Sequence, residues 1–268
     1  MRKTWTTGTL VSFSKPATTA FCLFMALSSS MNSWGQAPPG ENTSAVLGQL
    51  ATAFSGTQVV QQIQLSGTAT WTAGSSEDSG PVTLTASTNG SSQMQFALGS
   101  TGARTETQTG AGSSADCQWA GADGIAHEVS VGNCLKPMFW FLPALSLQPS
   151  LVPRSLSVVD LGAGTVGASS NIYRHLQSQL LVTALPDSLA TNNTQEGIGD
   201  LGLDPVSFLP AVQAYSLLPD NGAPIPIAIE IHYSNYKTVD GVQIPLLIQR
   251  YVNGSLQIAI IVSSAQIN

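Results

Sequence analysis

The stretch IPIAIEIHYSNYKTVDGVQIPLLIQRYVNGSLQIAIIVSSAQIN, residues 225–268, decides the fold. In its first part Ile or Tyr occupies every second position, and a period of two is typical of a strand with one buried face. Asp240-Gly241 and Asn253-Gly254 then interrupt the pattern. Tight hairpin turns need such residues because they accept a positive φ. Strands over 243–252 and 256–262 follow the two turns, so the stretch predicts an antiparallel meander.

Upstream of the meander, short strand-like runs separated by Gly, Ser and Asn predict one continuous antiparallel sheet. A helix precedes them, because apolar residues recur at helical spacing over 44–56 and Gly56 can end the helix. Glu77-Asp78 is interpreted as part of a solvated turn. The runs lie at 59–72, 81–88, 92–99, 103–110, 115–121, 155–164 and 170–182, and residues 201–217 are interpreted as a strand, an Asp-Pro turn and another strand.

The composition favours an exported protein with one domain. Only 9% of the 268 residues are charged and 43% are hydrophobic, which is too apolar for a disordered chain. Residues 1–37 have a basic start, a short apolar run and small residues around Ala37, as in a signal peptide, although the cleavage site is ambiguous. Residues 38–43 are then a linker, and 44–268 form the domain. We expect a periplasmic or extracellular location.

Charge and hydropathy exclude several kinds of partner. The formal charge is −6, and removal of Arg2, Lys3 and Lys15 would leave 15 acidic against 6 basic residues. An anionic chain without basic clusters lacks the cations that contact nucleic-acid phosphates, so no nucleic acid is expected. The N-terminal apolar run is too short to span a bilayer, so no stable membrane span is expected either.

Removal of the signal peptide would leave two cysteines, Cys117 and Cys134. In an oxidising compartment such a pair predicts a disulfide, and two buried free thiols are the alternative. Without a CxxC motif or paired histidines, the cysteines do not indicate a zinc site.

The most apolar and aromatic run of the mature chain is NCLKPMFWFLPALSL, residues 133–147. It belongs to an insert around 117–150 that the disulfide would tie at its start. We predict one or two helical turns on each side of Pro143. The segment can be an ordinary core helix, or it can cover a ligand. In the second interpretation the candidate ligand-binding residues are Phe139, Trp140, Phe141 and Leu142.

Two sets of residues resemble a cofactor-binding or catalytic motif but lack the sequence context that such a motif requires. Gly162–Gly167 matches GxGxxG, but no amphipathic helix follows it and the chain lacks βα alternation, so a glycine-rich hairpin is predicted instead. His127, His175 and His232 lie far apart without a metal-ligand spacing, and there is no GxSxG elbow. We therefore predict no catalytic residues, no metal and no cofactor.

Arg104 lies inside the strand-like run ARTETQTG, with threonines beside it. It can be a solvent-facing arginine on an edge strand or a polar anchor in a pocket. The sequence leaves both alternatives open.

The chain resembles LolA/LolB-like periplasmic proteins over about residues 200–268. The resemblance lies in Leu203–Pro210, with its Asp-Pro turn, and in Tyr233–Pro245, which matches a "ysdYrxvdGvxxP" pattern. It also looks similar to secreted proteins of soil bacteria such as Acidobacteria, including the Cys117-Gln118-Trp119 and Trp140–Leu145 segments.

The LolA-like resemblance implies a mainly β fold with short helices, of the α+β class. In it, a curved antiparallel sheet, or incomplete β-barrel, wraps around helices and encloses an apolar cavity. It implies a non-enzymatic protein that binds a hydrophobic small molecule or lipidated protein, and the carrier's pocket arginine would correspond to Arg104. Two alternatives stay open: an envelope interaction module whose core is filled by its own side chains, and a secreted hydrolase.

Overall fold

The computed structural model describes residues 43–110, 115–134, 136, 140–147, 156–180, 197–219 and 225–268. Three short helices lie in these ranges: α1 (Thr43–Ser55), α2 (Val131–Cys134) and α3 (Pro143–Ser146). The strands there are β1 (Gln62–Ala73), β2 (Ser76–Ser87), β3 (Ser92–Leu98), β4 (Gly102–Thr109), β5 (Asp116–Ala120), β6 (Ala126–Glu128), β7 (Leu156–Gly164), β8 (Tyr173–Leu180), β9 (Gly197–Leu203), β10 (Pro210–Leu217), β11 (Ile227–Val239), β12 (Val242–Val252) and β13 (Ser255–Ile267). No helix of this described part is both long and apolar enough to cross a membrane.

All thirteen strands form one antiparallel sheet, as the sequence predicted. Their order is β6-β5-β4-β3-β2-β1-β13-β12-β11-β10-β9-β8-β7. Consecutive strands pair throughout, except β6 and β7, and at the centre the first strand, β1, pairs with the last, β13. The sheet stays open, because β6 and β7 lie at its two edges in this order. The fold is mainly β with few short helices, as predicted.

The terminal meander is confirmed. Asp240 and Gly241 have φ of 46° and 81°, and Asn253 and Gly254 have φ of 48° and 79°. Two consecutive positive φ values define the turn whose twist matches that of the flanking strands. Ile225 departs from the prediction, because it precedes β11 and is 76% exposed.

One face of the sheet carries the core. Ile231 on β11 lies opposite Arg250 on β12, and Ile248 on β12 lies opposite Ile260 on β13, so all four side chains share this face. Helix α1 packs on the same core through the apolar stripe that the sequence predicted. The buried core residues include Val46, Leu50, Phe54, Ile63, Leu65, Leu84, Phe96, Phe141, Leu142, Leu145, Ile229, Ile231, Ile248, Ile258 and Ile260.

The sheet curls around this face. Tyr215 on β10 and Glu106 on β4 line the same cavity, although six strands lie between β4 and β10 in the sheet. Glycines permit close approach of neighbouring strands near the centre. A Cβ at Gly67 would come within 2.1 Å of the Ile261 carbonyl oxygen, and one at Gly80 within 1.9 Å of that of Ala97. Such glycines are typical of strongly bent strands. We call the inner face concave.

Two turns can be compared with the sequence predictions. The predicted glycine-rich hairpin is confirmed, because residues 165–172 connect the paired strands β7 and β8. The prediction that Glu77-Asp78 belongs to a solvated turn is wrong. β1 and β2 continue to a turn at Gly74, and Asp78 lies in β2 as an acceptor for donors of Ser100 and Thr101.

Candidate functional site

A cavity of about 460 Å³ lies on the concave face, between the sheet and the segment that contains α2 and α3. Strands β1, β3, β4, β5, β10, β12 and β13 all contribute to it, so it depends on the curl of the sheet. Its apolar and aromatic lining includes Trp71, Met94, Trp119, Trp140, Phe141, Tyr215 and Leu217. Its polar lining includes Arg104, Glu106, Gln108, Asn133, Lys136, Arg250 and Gln257.

Arg104 lies between two tryptophans in this cavity. Its Cζ is 4.6 Å from the ring centroid of Trp119 and 5.5 Å from that of Trp71. Its Nε donates to Glu106 Oε1 at 2.8 Å. A guanidinium over an indole face is attracted by the ring quadrupole, so these contacts fix the orientation of both rings. Arg104, Glu106 and the two tryptophans thus form a rigid aromatic platform.

The position of Arg104 bears on the two sequence interpretations. β4 pairs with β3 on one side and β5 on the other, so Arg104 is not on an edge strand. It lies opposite Phe96, which is buried, and therefore points to the concave face. Its role as a polar anchor for a ligand stays a proposal.

Arg250 is a second cavity arginine, which sequence reasoning missed. Its Cζ lies 5.4 Å from the ring centroid of Trp140. The period of two could have revealed it, because Ile244, Ile248 and Arg250 share one face of β12. Burial raises the pKa of the nearby Tyr215 phenol, and the charge of Arg250 opposes this rise.

Helix α2 is attached to both sides of the curled sheet. A disulfide joins Cys134 to Cys117 on β5, in agreement with the sequence prediction. On the other side, Asn133 Nδ2 donates to the Leu218 carbonyl at 2.7 Å, and the Leu218 N–H donates to Asn133 Oδ1 at 2.8 Å. Leu218 directly follows β10. Residues 131–134 therefore connect β5 with the end of β10 across the cavity, and we call them the strap.

The predicted apolar segment packs into the core more deeply than a lid would. Trp140 is 7% exposed, Phe141 is 0% exposed and Leu142 is 1% exposed. The Tyr233 hydroxyl on β11 donates to the Trp140 carbonyl and fixes the segment to the sheet. Trp140 and Phe141 line the cavity, whereas Leu142 packs in the core and does not. Phe139 lies outside the described residues.

The prediction of helical turns on both sides of Pro143 is wrong for the residues directly before it. Residues 140–142 are not helical, and α3 begins at Pro143. Proline suits the first helical position because its missing N–H would have no intrahelical acceptor there. It also disfavours helical geometry in the preceding residue, and Leu142 has φ −141° and ψ 63°.

Two histidine–carboxylate pairs lie away from this cavity. His175 Nε2 is 2.8 Å from Asp200 Oδ1, and His232 Nε2 is 2.6 Å from Glu230 Oε1. Burial raises the pKa of Asp200, but the hydrogen bonds from His175 and Gln177 and the charge of His175 together outweigh it, and the pKa is lowered overall. Asp200, Glu230 and His232 line a depression of about 590 Å³ on the opposite face of the sheet.

Neither of these pairs includes a serine among the described residues. Within the described ranges, neither His175 nor His232 contacts a serine hydroxyl that it could activate as a nucleophile. The same ranges contain no group of three or more His, Cys, Asp or Glu residues that could hold a metal ion.

The open, curled antiparallel sheet with short helices on its concave face defines the class: the chain has a LolA-like fold. Among solved structures it is similar to a LolA superfamily protein from Nitrosomonas europaea, at 12% identity and a TM-score of 0.50, over 84% of this chain and 93% of that chain. It is also similar to a DUF1329 family protein from Desulfovibrio piger, at 10% identity and a TM-score of 0.51, over 84% of this chain and 91% of that chain. No family model matches the sequence, and no curated protein matches it.

Proposed function

We propose that this is an exported, non-enzymatic protein that binds a hydrophobic ligand in the cavity on the concave face. The ligand class is a small apolar molecule, a lipid, or the acyl chain of a lipidated protein. The observation that carries the proposal is the cavity of about 460 Å³ between the sheet and the strap. Its size lies within the range of small-molecule sites, about 300–1,000 Å³.

The lining suits an apolar ligand that is partly aromatic or flexible. Trp71, Trp119 and Trp140 each present a large ring surface to the cavity, and Phe141 and Leu217 add apolar surface. Removal of apolar ligand surface from water stabilises the bound state by about 25 cal/mol of free energy per Å² buried. Arg104 holds two of the rings in place by cation–π contacts, which limits the conformational entropy lost on binding.

Export forms the second part of the proposal. The basic and apolar residues 1–37 would direct the chain across a membrane, and 38–43 would link them to the domain 44–268. The Cys117–Cys134 disulfide supports this, because structural disulfides persist in oxidising compartments. We place the protein in the periplasm or outside the cell.

Two substitutions at neighbouring positions of β10 would locate the site. Leu217 lines the concave cavity, whereas Ser216 lines the depression on the opposite face. Leu217→Trp should fill the cavity and abolish binding of the fluorescent apolar probe N-phenylnaphthylamine, while Ser216→Trp should leave binding unchanged. The opposite result would place the ligand on the other face. Equal binding by both variants and the wild type would refute a site in either place.

A second candidate function is an interaction module with a self-filled core. It is favoured by Phe141, Leu142 and Leu145, which are almost fully buried and occupy part of the concave face. Native mass spectrometry after gentle purification, combined with titration of a fluorescent fatty acid, distinguishes the two. A co-purifying lipid or saturable binding supports the carrier function. No lipid and no binding by a folded protein would support the interaction module.

A further inference from the structure

The cavity concentrates positive charge in an acidic protein. The chain has nine basic residues, and six of them lie beyond residue 37. Three of those six, Arg104, Lys136 and Arg250, line the cavity. The only carboxylate in its described lining is that of Glu106. The lining therefore carries a net positive charge, opposite in sign to the protein as a whole.

The two arginines differ in their partners. Arg104 forms an ion pair with Glu106. Arg250 takes part in none of the ion pairs among the described residues, and its guanidinium lies over the face of Trp140. Its Nε is buried and has no hydrogen-bond partner in the described part of the chain. A buried donor without a partner is unfavourable, more so on a charged group, so a ligand that accepts a hydrogen bond from it removes that cost.

Gln257 provides a second unsatisfied polar atom in the same cavity. Its Oε1 is buried and lacks a hydrogen-bond partner among the described residues. The two ends of a side-chain amide exchange by a half rotation, so Gln257 can present its NH₂ group instead. Arg250 and Gln257 both line this cavity, and the register of β12 against β13 shifts between Arg250 and Tyr251, beside Gln257. Two N–H donors can thus be directed at one ligand group.

We propose that the cavity selects amphiphiles with one anionic headgroup, such as a sulfonate, phosphate or carboxylate. This inference rests on the proposed function and specifies its ligand class. The anion accepts hydrogen bonds from Arg250 Nε and Gln257, and the apolar body lies against Trp71, Trp119 and Trp140. Charge-assisted hydrogen bonds are about twice as strong as neutral ones, so the headgroup contributes selectivity over a neutral analogue of the same shape.

Two fluorescent probes that differ by one anionic group test the inference. Anilinonaphthalene sulfonate and N-phenylnaphthylamine share the same aromatic body, and only the first carries a sulfonate. We expect the wild type to bind the sulfonate probe at least about tenfold more tightly. Arg250→Met keeps an unbranched apolar side chain and removes the charge, so the ratio of the two affinities should fall to about one, whatever the change in affinity for the neutral probe.

Lys237→Met is the matched control, because it removes one positive charge from an exposed position on β11. It should keep the tenfold preference. Gln257→Glu is a second variant, which places a negative charge beside the proposed headgroup and should weaken binding of the sulfonate probe more than binding of the neutral probe. Circular dichroism melts would establish that each variant is folded at the assay temperature.

Each outcome decides between the inference and the proposed function. If the neutral probe binds and the sulfonate gives no advantage, the inference is wrong and the proposed function stands. A sulfonate preference that Lys237→Met abolishes, or that both Arg250→Met and Gln257→Glu retain, also overturns the inference. If neither probe binds to the folded wild type, the proposed function itself fails.

Discussion

Removal of the disulfide should loosen the strap and lower stability by a defined amount. The Cys117→Ser/Cys134→Ser double variant opens a link between residues 17 positions apart. The loop-entropy relation gives about 3 kcal/mol for a link of this length. A domain of this size loses about 2–4 °C in Tm per kcal/mol, so we expect a fall of roughly 6–12 °C. The hydrogen bonds of Asn133 with Leu218 would still hold the strap to β10.

Scanning calorimetry of the double variant and the wild type would measure this fall. Wild type treated with a phosphine reductant is the matched control, because it loses the bond without a change of sequence, and it should melt at the temperature of the double variant. N-phenylnaphthylamine should bind both more weakly, since the strap forms one wall of the cavity. A Tm unchanged within 2 °C, after mass spectrometry has verified loss of the bond, would show that the disulfide does not constrain the strap.

Three further changes test the sheet. Tyr233→Phe removes the hydroxyl that donates to the buried Trp140 carbonyl and should lower the free energy of unfolding in urea by about 1–3 kcal/mol. A smaller decrease would mean that other contacts hold the apolar segment to the sheet. Gly254→Val forces a β-branched side chain to φ 79° and should cost about 1–2 kcal/mol in urea unfolding, whereas Gly254→Asn should cost less because asparagine tolerates a positive φ. The hydrogen bond from the Thr101 N–H lowers the pKa of Asp78 below its ordinary 3.8. The ionised carboxylate therefore stabilises the fold above pH 3.8, and this stabilisation is lost as the pH falls through the pKa of Asp78 in the folded state. Asp78→Asn should lower Tm at pH 7, and the difference in Tm from the wild type should narrow in thermal melts below pH 3.8.

Local pattern was sufficient to predict the meander of β11–β13. Alternation fixes the buried face of a strand, and the pairs Asp240-Gly241 and Asn253-Gly254 fix the turns, so the decisive information lies within a few residues. The disulfide was predictable for another reason, since only two cysteines remain beyond the proposed signal peptide.

The cavity could not be predicted because it depends on contacts between distant strands. Asn133 binds the backbone of Leu218, 85 residues further along the chain, and neither residue type signals that pairing. The curl that brings Tyr215 and Glu106 into one cavity accumulates over six intervening strands. Local sequence predicts a turn at Asp78, because aspartate favours turns. The backbone N–H groups of Ser100 and Thr101, in the next hairpin, donate to its carboxylate and make its position in β2 favourable.

The pairing of β1 with β13 has a consequence for the order of synthesis and folding. β13, Ser255–Ile267, follows the other twelve described strands along the chain, yet it lies between β1 and β12 at the centre of the sheet. Until it emerges, β1–β6 and β7–β12 cannot join, and each half exposes an unpaired strand edge to other chains. Contacts between such distant parts of a chain also form slowly. The sheet of a nascent chain is therefore completed only once β13 has been made, and until then its two halves stay separate.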